Sequence, residues 1–176
     1  KKILYNNCYG DIKDLIGPDL LIQKKINLSI QMPGDTTSIL NAHSDCSSGD
    51  SPFELVLWIP LTDAYSSNSM FIYDKQRSTD FYHSIKMQNP IKMYPDKCDF
   101  VSVNYGEYII FSPSLVHGNV LNTTKSTRMS LNIRFKSIFS PYTPTIVHDR
   151  LYGTYYDIWH TSDMYKWGKE VYQLLK

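Results

Sequence analysis

YIIFSPSLVHGNVLNTTKSTRMSLNIRF, residues 108–135, contains three short apolar or alternating runs that are separated by turn residues. Each run has about the length of a typical strand, roughly 3–10 residues. The pattern extends back to Asn27 through six more runs: NLSIQM, TSILNAH, FELVLWIPL, SMFIYD, IKMYP and DFVSVNY. Many short strands with turns between them indicate an antiparallel sandwich or barrel, whereas a parallel sheet would show strands alternating with helices. We therefore predict a mainly β domain whose core covers about residues 27–139.

Both ends of the chain differ from this middle part. The segment DIKDLIG could form a short helical turn that ends at Gly17, and the presence of only two alanines disfavours long helices. At the other end, Ser162 or Asp163 is a candidate N-cap, and apolar residues then recur at helical spacing: Met164, Trp167, Val171, Leu174 and Leu175. We predict a short N-terminal helical region and a C-terminal amphipathic helix, about residues 162–175, that packs on the sheet.

Length and charge limit the classes of function. The 176 residues suit one domain with one hydrophobic core, so residues 1–176 are interpreted as a single domain. Eighteen basic and seventeen acidic residues are scattered, which argues against a nucleic-acid partner and against binding to an anionic membrane surface. No stretch approaches the roughly 20 apolar residues that cross a bilayer. A small-molecule substrate is then the expected partner, with no nucleic acid and no membrane.

The number and spacing of the cysteines give an expectation for the cellular compartment of the protein. They number three, at unrelated spacings, so they indicate neither a disulfide framework nor a CxxC zinc site: Cys8, Cys46 and Cys98. We expect reduced thiols in a cytoplasmic protein. No signal-peptide pattern is visible, and the lack of a starting Met suggests a trimmed chain.

Three residues of metal-ligand type stand out: His43 and Asp45 in NAHSD, and His117 in SPSLVHGN. Two histidines and one carboxylate on one face of an octahedral metal form the facial triad of non-haem Fe(II) oxygenases. In an extended segment residues i and i+2 point the same way, so His43 and Asp45 can reach one ion. A His-x-Asp tripeptide is common by chance, so a fourth residue at a set distance is needed to support the interpretation of a metal site. Arg128, eleven residues after His117, is that residue.

Three segments together carry a family resemblance: NAHSD, FELVLWIPLTDAYSSNSMFI and FSPSLVHGNVLNTTKSTRMSLNIRF. They resemble the HxD…H…R/RxS pattern of Fe(II)/2-oxoglutarate-dependent dioxygenases. Within that superfamily the chain is similar to the phytanoyl-CoA dioxygenase-like branch, and more narrowly to small bacterial members from carbohydrate-modifying gene clusters. The resemblance implies a double-stranded β-helix, the cupin-like jelly roll. It also implies Fe(II) at its mouth on His43, Asp45 and His117, with 2-oxoglutarate and O2 as cosubstrates.

The same resemblance implies a cosubstrate pocket. Arg128 would pair with the distal carboxylate of 2-oxoglutarate, because a guanidinium meets a carboxylate with two parallel hydrogen bonds. Ser130 shares its strand face and could bind the same carboxylate, as the serine of the RxS motif does. Asn119 occupies a position that often contacts the cosubstrate in this branch. Trp58 and Gln31 are weaker candidates for lining the pocket.

Other residues of similar type have different interpretations. Arg134 lies on the same strand face as Arg128 and is its rival for the carboxylate; Arg128 is favoured by its distance from His117 and its RxS neighbour. Cys46 follows the aspartate and is interpreted as a small packed side chain. The remaining histidines lack a matching carboxylate and are interpreted as surface or core residues: His83, His148 and His160.

The resemblance also bears on the reaction. Halogenases of the superfamily lack the metal-binding carboxylate, so the presence of Asp45 predicts hydroxylation or a related oxidation. The polar segments CSSGDSPFEL, SSNSM and QRSTDFYHSIK are predicted to form a lid, which would suit a hydroxylated substrate such as a sugar, an aminocyclitol or a nucleotide sugar. One departure concerns substrate class: Ser69 stands where many members have the Gly of an Asn-Gly pair, and their Pro-Gly-Ser-His run is missing.

Two other classes remain open. A cupin-like metal-dependent sugar isomerase or epimerase would share the jelly roll but would not need Arg128 or Ser130. A non-catalytic carbohydrate-binding jelly roll would bind no divalent metal tightly.

Overall fold

Antiparallel strands form the centre of the protein. A computed structural model describes residues 2–89, 93–141 and 153–176. In chain order the helices and strands are α1 (Lys2–Ile16), β1 (Leu20–Gln23), β2 (Asn27–Gln31), β3 (Glu54–Pro60), β4 (Phe71–Ile72), α2 (Lys75–Lys86), β5 (Ile109–Phe111), β6 (His117–Gly118), β7 (Arg128–Ser137), β8 (Tyr156–His160) and α3 (Asp163–Leu174). The prediction of a mainly β fold with helices at both ends is confirmed.

The strands form a large and a small antiparallel sheet. The large sheet has the order β5-β3-β7-β1-β8, and β2 pairs with the part of β7 that β1 leaves uncovered. The small sheet pairs β4 with β6. The long central strand β7 therefore touches three others, with Gln31 opposite Arg128 and Val56 opposite Arg134.

The two faces of β7 have opposite character. Its odd-numbered residues Ile133 and Phe135 are fully buried in a core cluster with β1, β3 and α1. Its even-numbered residues are polar, and all but the half-buried Asn132 are also buried: Arg128, Ser130, Arg134 and Lys136. Side chains alternate along a strand, so the apolar face packs under α1 while the polar face points towards the small sheet. This polar face supplies one wall of the site described below.

The large sheet extends beyond the predicted core of about residues 27–139 at both ends. All four residues of β1 are buried, and β1 pairs with both β7 and β8. The expected short N-terminal turn is a helix of 15 residues, α1, that buries Leu4, Cys8 and Ile12 on the sheet. These residues recur every four positions, so they lie on one helical face. Packing of that face, more than intrinsic propensity, stabilises most protein helices.

The C-terminal helix forms where it was predicted. Ser162 is its N-cap and accepts a hydrogen bond from the Tyr165 backbone N–H at 3.2 Å. The expected packing on the sheet is wrong, because none of its residues is buried, and Trp167 and Leu174 are 68% and 85% exposed. None of the helices within the described parts of the chain combines the length and the apolar character that a bilayer crossing needs.

Two of the predicted strand runs form isolated bridges and not strands. TSILNAH contributes one bridging residue, His43, and DFVSVNY contributes two, Phe100 and Val103. IKMYP falls partly outside the described residues. The polar run that follows SMFIYD is the helix α2, with Asp74 as its N-cap.

Candidate metal centre

His43 and His117 are brought together by backbone pairing. The His43 N–H donates to the His117 carbonyl at 2.9 Å, and the His117 N–H donates back at 2.8 Å. The two rings lie with their centroids 4.6 Å apart. Gly118 permits this approach, because a Cβ there would lie 2.6 Å from the Leu40 carbonyl oxygen and 2.8 Å from the Phe71 ring. A one-residue bridge therefore positions two distant histidines.

Asp45 joins them through the local conformation of the chain. Ser44 is extended, with φ −114° and ψ 146°, so the side chains of His43 and Asp45 point the same way, as expected from the sequence. The chain then turns into a short 3-10 helix, Asp45–Ser48. The Ser44 hydroxyl caps this helix by accepting from the Ser47 N–H at 3.2 Å.

The three side chains present one ligand atom each to a common point. Asp45 Oδ1 lies 3.8 Å from His117 Nε2 and 4.0 Å from His43 Nε2, and one such set of ligand atoms lies within 4.8 Å of one another. Nδ1 of His43 faces the Asn41 carbonyl at 2.7 Å, and Nδ1 of His117 faces the Leu115 carbonyl at 2.8 Å. A carbonyl only accepts, so each Nδ1 carries the proton and each Nε2 offers a lone pair.

Burial favours the metal-binding form of this set. Burial lowers the pKa of His117, which keeps the imidazole neutral. The side chain of His43 is 31% exposed and that of His117 only 7%, so the centre opens on the His43 side. Two neutral imidazoles and one carboxylate suit a divalent transition metal and leave room for further ligands.

Arg128 is a buried cation in the same cavity. It is 3% exposed, and its Nε donates to the Asn68 carbonyl at 3.0 Å. Nη1 donates to Ser130 Oγ at 2.5 Å, Nη2 donates to Gln31 Oε1 at 3.1 Å, and the guanidinium carbon lies 5.8 Å from the centre of the Trp58 ring. Among the described residues no carboxylate contacts it. Burial without an anionic partner lowers the pKa of Arg128 to about 10.

Arg134 has different partners. Its Nη2 lies 2.8 Å from Asp45 Oδ2, and its Nε lies 3.0 Å from Asp50 Oδ2. All three side chains are buried. Arg134 is therefore held by two carboxylates of the chain itself, whereas Arg128 is held by neutral groups.

One cavity of about 230 Å³ connects these groups. Its walls are His43, Asp45, His117, Arg128, Arg134, Asn27, Ser29, Leu40, Trp58, Met70, Gly118, Asn119, Ser130 and Asn132. The predicted residues Trp58, Ser130 and Asn119 thus line it. Gln31 does not: it lies behind Arg128 and orients the guanidinium by accepting its hydrogen bond.

The side chain of Asn119 forms hydrogen bonds with the neighbouring loop. Its Oδ1 accepts from the Leu40 N–H at 2.6 Å, and its Nδ2 donates to the Ser38 carbonyl at 3.1 Å. These bonds anchor the loop that leads to His43. Asn119 therefore supports the loop next to the metal ligands in addition to lining the cavity.

The other candidates lie away from the centre. Cys46 is not part of the cavity wall, and its Sγ lies 3.4 Å from Ser114 Oγ. His83 is exposed on α2, and His160 is half-buried with its Nδ1 2.9 Å from a backbone carbonyl. His148 lies outside the described residues.

Much of the predicted lid is packed into the fold. In CSSGDSPFEL, Asp50 and Ser51 are 1% and 2% exposed, and in SSNSM, Asn68 and Ser69 are fully buried. These segments support the floor of the site. Sequence reasoning missed Asp50 and the pairing of Arg134. The sequence signal that could have indicated them is the alternation along β7, which places a row of polar residues on one face: Arg128, Ser130, Asn132, Arg134 and Lys136.

The chain resembles one curated protein over part of its sequence and several solved structures in fold. No protein-family model matches the chain. The streptomycin biosynthesis protein StrG of Streptomyces griseus is 30% identical over 93 residues, which are 52% of this chain and 35% of that protein. The chain thus spans about a third of the length of this curated relative.

Solved structures share the fold. The non-haem monooxygenase ThoJ superposes over 88% of this chain and 58% of its own, with a TM-score of 0.63 and 19% identity. HygX of Streptomyces hygroscopicus, crystallised with nickel and 2-oxoglutarate, superposes over 84% of this chain and 70% of its own, with a TM-score of 0.54 and 13% identity. At such identities the likeness establishes a common fold.

Proposed function

We propose that this protein is a non-haem Fe(II)- and 2-oxoglutarate-dependent dioxygenase that hydroxylates or otherwise oxidises a small polar metabolite. The supporting observation is that one cavity holds both the His43, Asp45 and His117 cluster and the buried cation Arg128. The two packed antiparallel sheets agree with a double-stranded β-helix of the phytanoyl-CoA dioxygenase-like branch. The ligands of HygX, a metal and 2-oxoglutarate, agree with the two kinds of group in the cavity.

The residues fit both cofactors. His43, Asp45 and His117 would hold Fe(II), since both Nε2 atoms and one carboxylate oxygen face a common point. Arg128 and Ser130 would bind the distal carboxylate of 2-oxoglutarate, which would supply the anion that the buried guanidinium lacks. Bound Fe(II), with O2 and 2-oxoglutarate, supplies the oxidising chemistry. The chain's own part is to orient these groups and, through Trp58 and Met70, to keep water out.

Charge balance supports the pairing of a metal with a dianion. Among the described residues in and behind the cavity wall, two buried carboxylates, Asp45 and Asp50, and two buried guanidinium groups, Arg128 and Arg134, sum to zero. A divalent cation alone would leave two uncompensated positive charges in a poorly screened cavity, and a dicarboxylate alone would leave two negative charges. Joint binding keeps the site neutral. We therefore expect metal and 2-oxoglutarate to strengthen each other's binding.

The substrate would approach from the open side of the centre, where His43 is exposed. We propose a hydroxylated small molecule of biosynthetic origin, such as a sugar-derived intermediate. The name of the similar StrG, a streptomycin biosynthesis protein, is in keeping with this class.

The test is an assay of 2-oxoglutarate turnover. The protein is loaded with Fe(II) and ascorbate under O2, and succinate is measured with a panel of sugars, aminocyclitols and nucleotide sugars. We expect succinate formation that at least one substrate stimulates and that Asp45→Ala abolishes. Metal binding without 2-oxoglutarate turnover would favour the cupin-like isomerase or epimerase, and the absence of tight metal binding would favour a carbohydrate-binding jelly roll.

A further inference from the structure

We propose that Asp50 is a positioning residue for the metal centre: by sharing Arg134 with Asp45, it offsets the positive charge that Arg134 places beside the ion-binding carboxylate. The inference rests on the proposed function, because it concerns the same metal. It assigns a role to a side chain that does not line the cavity.

The contacts form a short buried chain of charges. Asp45 Oδ1 faces the two imidazoles, Asp45 Oδ2 faces Arg134 Nη2 at 2.8 Å, and Arg134 Nε faces Asp50 Oδ2 at 3.0 Å. The Asp50 backbone N–H also donates to the Asp45 carbonyl at 3.2 Å, which fixes the spacing of the two acids. The exposed fractions of Asp45, Asp50 and Arg134 are 5%, 1% and 6%. Screening by water is therefore weak along the chain.

The arrangement leaves one oxygen of Asp45 for the metal. Because Oδ2 is engaged by the guanidinium, the carboxylate cannot turn to offer both oxygens without breaking a buried ion pair. The single remaining oxygen, Oδ1, already faces both Nε2 atoms. Arg134 thereby sets the orientation of the ligand, and it adds a positive charge next to a site for a dication.

Asp50 offsets that positive charge. With Asp50, the group of two carboxylates and one guanidinium has a net charge of −1, and without it the net charge is zero. The next acid is Glu54, and the group whose charge acts most strongly on it is Lys136 rather than Arg134. We therefore expect loss of the Asp50 charge to leave Arg134 bound to Asp45 alone, in direct competition with the metal.

The experiment compares two variants with the wild type. Asp50→Asn removes the offsetting charge, and the double variant Asp50→Asn with Arg134→Gln removes both charges and restores the net −1. Affinity for Ni(II) is measured by calorimetry, and the ligand geometry is followed by the visible absorption of bound Co(II). We expect Asp50→Asn to weaken Ni(II) binding at least tenfold, the size of effect common for groups that orient metal ligands. The double variant should return to within about threefold of the wild type.

A matched control separates this role from a general loss of buried charge. Glu54→Gln removes another buried carboxylate that is 4% exposed, and Arg134 contacts neither of its oxygens directly. It should change Ni(II) affinity less than about threefold. An equal loss in Glu54→Gln and Asp50→Asn would overturn the proposal.

The remaining outcomes distinguish a failure of the proposed function from a failure of the role of Asp50. If the wild type binds no divalent metal tightly, the proposed function itself fails. If the wild type binds metal but Asp50→Asn binds equally well, or the double variant binds no better than Asp50→Asn, only the role of Asp50 fails. If Asp50→Asn does not fold, folding of the double variant supports the proposal, and its failure to fold shows that Asp50 is needed independently of Arg134.

Discussion

Arg128 and Arg134 lie on the same face of the same strand and have opposite surroundings. Arg134 sits between Asp45 and Asp50 at 2.8 and 3.0 Å, whereas Arg128 is held by a carbonyl, a hydroxyl and an amide. Both are buried, and burial lowers the pKa of Arg128, whereas for Arg134 the lowering by burial is outweighed and the neighbouring charge of Asp45 helps to raise the pKa. Arg134 therefore has two carboxylates as partners, whereas no carboxylate of the described residues contacts Arg128.

The largest expected effect concerns Asp45, the metal-binding candidate that forms an ion pair with Arg134. Asp45→Asn should weaken Ni(II) binding by about 100-fold or more, because it removes the charged ligand while keeping its shape. Calorimetric titration measures the loss. Cys46→Ser is the matched control, since the neighbouring side chain is not part of the cavity wall, and its Ni(II) affinity should equal that of the wild type.

The two arginines should differ in their effect on stability. Arg134→Gln should lower the free energy of unfolding of the metal-free protein by about 3–5 kcal/mol, because it leaves two buried carboxylates without their cation. Arg128→Gln should leave that free energy unchanged or raise it, since the buried guanidinium has no anion to lose. Urea unfolding of both variants measures the contrast. Equal destabilisation by the two substitutions would contradict it.

The arginines should also differ in anion binding. Arg128→Ala should weaken binding of N-oxalylglycine to the Ni(II)-loaded protein by about 10–100-fold, the range of one or two charge-assisted hydrogen bonds. Its Ni(II) affinity should stay within about threefold of the wild type. Loss of N-oxalylglycine binding in Arg134→Gln, but not in Arg128→Ala, would reverse the assignment of the carboxylate.

The smallest expected effect is a dependence on pH. The pKa of Arg128 is lowered to about 10, and the dianion binds the charged form, so affinity should fall as the pH rises through that value. At pH 10 half of the free sites would be neutral, and N-oxalylglycine should bind about twofold more weakly than at pH 8. Fluorescence titration at the two pH values tests this. The residual binding of Arg128→Ala should lack the difference.

The sequence predicted the groups of the site better than the limits of the fold. The His-x-Asp spacing and the later His117 led to a set of atoms that the structure brings together within 4.8 Å. The prediction limited the core to about residues 27–139 and therefore left out α1, β1 and β8. The short strand β1 shows no alternation, because both of its faces are covered, and a run of four residues gives periodicity little to detect.

The exposed helix α3 shows the converse error. Its apolar spacing and its Ser162 cap correctly predicted a helix, because both signals are local. Its packing on the sheet could not be read from the same residues, since a helical stripe does not specify the surface that covers it. The described structure leaves Trp167 and Leu174 exposed.

By itself the sequence determined the local features of this protein: the types of ligand, the shared direction of His43 and Asp45, the alternation of β7 and the capped C-terminal helix. Each depends on neighbours a few positions apart, whose geometry follows from backbone dihedrals. Only the tertiary structure decided which arginine is paired with carboxylates and which is held, within the described residues, by neutral groups. Ion pairing depends on distances in space, and Asp50 reaches Arg134 only after the sheet has formed.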